Sequence, residues 1–211
     1  MTLLEEYKNA RKKVLDLHNK VLDDVSESDV KKAANILGTL KNRQIVLESP
    51  IEKDAHMDFF LYAQIHEGKS KLNEYIKKHE DKNDEEQKLL RVMEQSKTSL
   101  YEVVEINHEN KMVFLKDIMN PSYVFNVIDI GMSETANKNI LIFTRLLHLE
   151  SFSMTSGLLF TFRREHKEYL VRKSRKLGKR IKCGNSSDKR FITFFDLNRK
   201  DGLPILLEDV E

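Results

Sequence analysis

Apolar residues change their spacing at Ser99–Tyr101. Before that point they recur every three or four positions; after it they alternate or cluster in short runs separated by turn residues. A side-chain period near 3.6 belongs to helices and a period of 2 to strands. Residues 1–97 are therefore expected to be helical, apart from a short extended run near Ile45. Strands are expected at Leu100–Asn107, Lys111–Ile118, Tyr123–Asp129, Ile140–His148 and Phe152–Phe162. Asn107-His108-Glu109-Asn110 and Asn120-Pro121-Ser122 separate the first three, residues that fix or tolerate turn dihedrals. A meander this compact predicts an α+β fold: an N-terminal helical region, a small antiparallel β-sheet or barrel-like core, and a basic C-terminal helix followed by a β-hairpin. The corresponding divisions are 1–97, 98–162 and 163–211, packed as one unit.

The helical region reads in five pieces. Thr2-Leu3-Leu4-Glu5 is a capping box, in which hydroxyl and carboxylate satisfy two orphan N–H groups reciprocally. Behind it Leu3, Tyr7, Ala10, Val14, Leu17 and Val21 form a seam of period 3.5, which needs a partner: a helix of the same chain, or a second copy in a dimer. Further helices are expected at Asp29–Lys41, Pro50–His66, Lys69–His79 and Asp84–Ser96. The third opens with Ser49 as cap and Pro50 at the first position. After the strands, Arg163–Leu177 reads as a basic helix. Arg190–Leu197 reads as a strand, and Leu203–Leu207 as its hairpin partner.

A net charge of +2 conceals an asymmetry. Residues 163–200 hold 14 Lys/Arg against 4 Asp/Glu, a balance of +10, while residues 201–211 hold four acids and no base. Such a segment either contacts a polyanion or neutralises the acidic body of the protein. No apolar run approaches the roughly 20 residues that span a bilayer, so no membrane partner is expected. The first residues open directly into an acidic helical pattern rather than a secretory signal. The single cysteine, Cys183, rules out an internal disulfide and a zinc site built mainly of cysteines. Together these features predict a cytoplasmic protein.

Motifs with a defined chemistry are few. The seven glycines form no phosphate-binding loop, the seven histidines show no metal-binding spacing, and no cofactor or metal is expected. Asp117 and Asp129 stand at the ends of consecutive strands, with His148 at the end of another. If brought together they would suit metal-dependent nuclease or hydrolase chemistry; a simple hairpin would hold the two aspartates far apart as turn acceptors. Arg145 lies within the apolar run Leu141–Leu147, so it is expected to be buried and paired with a carboxylate, Asp117 or Asp129. Cys183 stands among Lys179, Arg180 and Lys182, cations that would lower a thiol pKa.

The runs Ala34–Gly38, Ile45–Ser49 and Met57–Tyr62, then Ser99–Ile106, Leu115–Met119, Ser133-Glu134-Thr135, Phe143–Leu147 and Ser156-Gly157, carry a resemblance. Over about residues 30–162 the chain resembles uncharacterised bacterial proteins, some of which end in a cysteine-rich zinc tail of the SEC-C type. That tail is absent here, and the resemblance implies no activity. Two functions remain open. One is a non-catalytic binding or regulatory protein that contacts nucleic acid, or an acidic protein, through Arg164, Arg172, Arg175, Lys179, Arg180 and Lys182. The other is the metal-dependent hydrolase of the strand-end carboxylates.

Overall fold

A computed structural model describes residues 2–65, 67–79 and 84–204. Its centre is a β-barrel. Strands β3 (Lys97–Asn107), β4 (Met112–Asp117), β5 (Val124–Ile128), β6 (Ile140–His148) and β7 (Ser153–Thr155) close a ring in the order β3-β4-β5-β7-β6, with β6 returning to β3. Every pairing is antiparallel except that of β5 with β7, where Val127 faces Ser153. Closure depends on the length of β3. Its first half, Lys97–Glu102, pairs with β6, and its second, Tyr101–Asn107, with β4. A bulge between Val103 and Glu105 bends the strand, as tight barrels require. A further strand, β8 (Phe160–Arg163), extends the sheet along the first half of β6.

Alternation along these strands sorts the side chains. Tyr101, Val103, Val113, Leu115, Val127, Ile142 and Leu146 fill the interior, and Met132 and Ala136, from helix α6 (Ile130–Thr135) and its end, join them. The outer face is clad by helices. α1 (Leu3–Leu22), α3 (Pro50–Tyr62), α4 (Lys71–Lys78) and α5 (Asp84–Gln95) pack on Leu147, Phe152 and Met154. α2 (Glu27–Ile36), α3 and α8 (Ser186–Asp201) enclose Leu141, Phe143, Phe160 and Phe162. The expected α+β architecture is present, and among the described residues no strand lies between Pro50 and Ser96.

Several local expectations are corrected. Residues 190–197 are not a strand but the middle of α8, so the described residues contain no C-terminal hairpin. Asn185 and Asp188 form a capping box, and the buried positions Ser187, Asp188, Phe191, Phe194 and Phe195 follow helical spacing. Leu203 makes one bridge to Thr161; residues 205–207, the rest of the expected hairpin partner, lie outside the described residues. The stretch expected as one strand over 152–162 is two, β7 and β8, broken by Ser156 and by Gly157 at φ +109°. The second helix ends at Ile36, and β1 (Leu40–Lys41) and β2 (Gln44–Ile45) form a small hairpin turned by Asn42 and Arg43 at positive φ. The period-3.5 seam of α1 is taken up inside the chain: Tyr7, Ala10, Val14, Leu17 and Val21 are all buried against α3, α4 and α5. Leu3, the first position of the seam, is exposed.

Candidate nucleic-acid interface

The basic segment becomes two structures. A 3-10 turn, Arg164–His166, carries the chain off β8 into α7 (Lys167–Gly178). α7 buries a narrow face through Leu170 and Ser174, flanked by Val171 and Leu177, against α8, and the Tyr169 hydroxyl donates to the Asp201 carboxylate at 3.1 Å. The opposite face presents Arg172, Arg175, Lys176 and Lys179 at helical spacing. With Ile118, Lys167, Glu168 and Val171 they line an open groove of about 600 Å³.

The cations of this segment differ in one respect. Arg164 and Lys167 each reach a different carboxylate oxygen of Glu102 at 2.7 Å, and Arg163 pairs with Glu165 at 3.5 Å. Hydrogen bonding from Lys167, with Arg164 beside it, holds the Glu102 carboxyl below its usual range. Arg172, Arg175, Lys176 and Lys179 are exposed, and none makes an ion pair among the described residues. Like charges three and four residues apart repel by a few tenths of a kcal/mol per pair. Glu168, in the same groove wall and four residues before Arg172, offsets part of that repulsion. Arg180 and Lys182 follow the helix, exposed and outside the groove wall, and the Cys183 thiol is half-buried.

A second pocket, about 300 Å³, lies where the N-termini of α4 and α8 meet the end of α5, with Arg145 in its wall. Arg145 is 3% exposed, as its apolar setting predicts, but its partner is neither Asp117 nor Asp129. It points from the outer face of β6 into α3, where its Nε lies 3.0 and 3.1 Å from the two Asp58 oxygens. Its Nη1 donates to the Ser96 carbonyl at 3.2 Å, and its guanidinium covers the Tyr62 ring at 4.0 Å. Ser156 donates to Asp58 at 2.5 Å, and the Tyr62 hydroxyl lies 2.8 Å from His18 Nε2. Sequence reading missed Asp58, although an acid inside Met57–Tyr62, on a helix apolar on more than one face, was the available signal. Both helix N-termini here are already capped, by Ser70 with Asn73 and by Asn185 with Asp188. Asp188 also accepts from the Gln64 and Asn185 amides. Arg145, Ser70, Asn73, Asn185 and Asp188 in its wall are therefore committed to the fold.

The other candidates have structural partners. β4 and β5 are antiparallel neighbours, so Asp117 lies beside Tyr123 and Asp129 beside Lys111, six residues apart along β4, or roughly 20 Å. Asp117 accepts from Ser99 Oγ at 2.6 Å and from the Met119 and Asn120 amides. Asp129 caps α6 through the Met132 amide and accepts from Thr155. His148 Nδ1 sits 2.8 Å from Ser153 Oγ. Among the described residues no three His, Cys, Asp or Glu side chains are grouped so as to hold a metal ion, and no helix is long and apolar enough to cross a membrane.

Residues 1–208 match the family described as "Family of unknown function (DUF7986)". No curated protein and no solved structure matches the chain.

Proposed function

The chain belongs to this family of unknown function, DUF7986, and from that premise we propose that it is a non-catalytic binding or regulatory protein whose α7 face holds nucleic acid by its phosphates. The observation that carries the reading is the division of cations within one segment. Arg163, Arg164 and Lys167 are spent on carboxylates, whereas Arg172, Arg175, Lys176 and Lys179 line an open groove with no acid paired to them among the described residues. Such a row contacts phosphates without reading sequence, and binding driven by counterion release weakens steeply with salt.

The test is a salt titration of binding to labelled nucleic acid. With four contacts on duplex DNA the slope of log K against log salt is expected near −3.6, on the rule of roughly −0.9 per neutralised phosphate. Changing Arg172, Arg175, Lys176 and Lys179 to Ala should abolish most of the affinity, while an Arg164→Ala variant, which loses a cation already paired with Glu102, should lose far less. Absence of binding by the wild type even at low salt overturns the reading and leaves an acidic protein as the partner to seek.

A further inference from the structure

We propose, resting on the reading of α7 as a phosphate-binding face, that its ligand is single-stranded nucleic acid and that an unpaired base stacks on Tyr123. Tyr123 is the most exposed large apolar side chain described, at 54%, and Val124 beside it is 51% exposed. The ring is braced. It stacks on Phe125 at 5.9 Å with 14° between planes; Phe125 lies against His148 at 4.6 Å and meets Tyr101 edge-on at 6.2 Å. Desolvation lowers the pKa of the His148 imidazole from its ordinary value, although the residue as a whole is exposed. A row of rings anchored in a barrel strand, with its last member uncovered, offers a flat apolar face held in one place.

The position of that ring relative to α7 gives the second part of the argument. Ile118, in the groove wall, directly follows Asp117, and the Asp117 amide donates to the Tyr123 carbonyl at 3.1 Å. The Asp117 carboxylate accepts from Ser99, Met119 and Asn120 and so fixes the turn joining the groove wall to the exposed ring. One turn of the β4–β5 pair therefore joins Ile118, in the wall of the α7 groove, to the exposed ring of Tyr123. In a duplex the base faces are covered by their neighbours, and only an unpaired base can use an aromatic platform. A cationic row beside a stacking ring is the combination that single-strand binders employ.

The experiment is fluorescence anisotropy with oligodeoxythymidylate of about 20 nucleotides and, separately, a random-sequence duplex of equal length. Wild type should bind the single strand at least tenfold more tightly. Tyr123→Ala should weaken single-strand binding roughly 5- to 150-fold, the loss of one stacked base. It should leave duplex affinity and the salt slope unchanged, and Tyr123→Phe should retain the affinity. The melting temperature of Tyr123→Ala, expected to match wild type because the ring is half-exposed, verifies folding. Equal binding of both probes and no effect of Tyr123→Ala, with the α7 substitutions still abolishing binding, overturns this inference and leaves the phosphate-binding face standing. Failure of wild type to bind either probe overturns both.

Discussion

At the scale of single residues, the Arg145–Asp58 pair has the largest expected consequence. Arg145→Ala would leave Asp58 charged and buried, with Ser156 as its remaining side-chain donor, and should destabilise the protein by about 3–5 kcal/mol, read from urea unfolding. Replacing the pair together, as Arg145→Met with Asp58→Leu, should cost much less, because no uncompensated charge remains. The burial of Arg145 was legible from its apolar neighbours. Its partner was not, because that depends on which helix covers the outer face of β6. Two histidines set the acid response. Burial holds His18 and His56 at about 4, against attraction from Asp58 and Glu52 respectively and with Arg11, Arg145 and Arg199 nearby reinforcing the shift. The unfolded chain therefore binds protons that the folded chain refuses. The stability tied to these neutral rings is complete above pH 6.5 and is lost as pH falls towards 4, by up to about 3 kcal/mol for each. Asp29, held at about 2, and Glu52, also depressed, add losses of the same sign further down, while Asp188, raised by burial, opposes them. His56 Nε2 is buried without a hydrogen-bond partner, between the rings of Phe60 and Phe195. His56→Phe should hold or raise stability at pH 7 and flatten the fall between pH 6.5 and 4.

At the scale of elements, the divergence lies in α8. Read as alternation, Phe191, Thr193, Phe195 and Leu197 form one face of a strand. Read with Phe194 and the cap at Asn185, the same residues are a helix buried on more than one side. So short an apolar-rich run satisfies both periods, and the cap upstream decides between them. Asn185 accepts from the Ser187 and Asp188 amides, so Asn185→Ala should cost about 1 kcal/mol. Gly184→Ala should cost more. Gly184 sits at φ +71°, and an added Cβ would come within 2.5 Å of Asp188 Cβ, disturbing the cap itself. Chemical denaturation of the two variants side by side checks the order. α7 differs from α8 in what its sequence disclosed. Its basic character was plain, but which of its cations remain unpaired was settled by Glu102, on a strand more than 60 residues earlier.

At the scale of the whole molecule, the core joins segments far apart in the chain. Ala33 and Phe59 from the N-terminal helices, Phe143 and Phe160 from the sheet, and Phe191 and Phe194 from α8 belong to one buried cluster. Truncation at Gly184 would uncover that cluster, so the shortened chain should lose cooperative unfolding and expose apolar surface, measured by denaturant melts and dye binding. The α7 substitutions, confined to exposed positions, should leave the melt within about 1 kcal/mol of wild type. The sequence by itself determined the mainly helical character of the first 96 residues, the strands β3 to β6, the capping box at Thr2, the change of period at Ser99, the burial of Arg145 and the basic character of α7, because each depends on neighbours within a few positions. Tertiary structure alone decided the closure of the barrel, the choice of Asp58 for Arg145, the separation of Asp117 from Asp129, and the pairing of Glu102 with Arg164 and Lys167. Each of these depends on strand register and on which helix lies over which face, and local periodicity leaves both open.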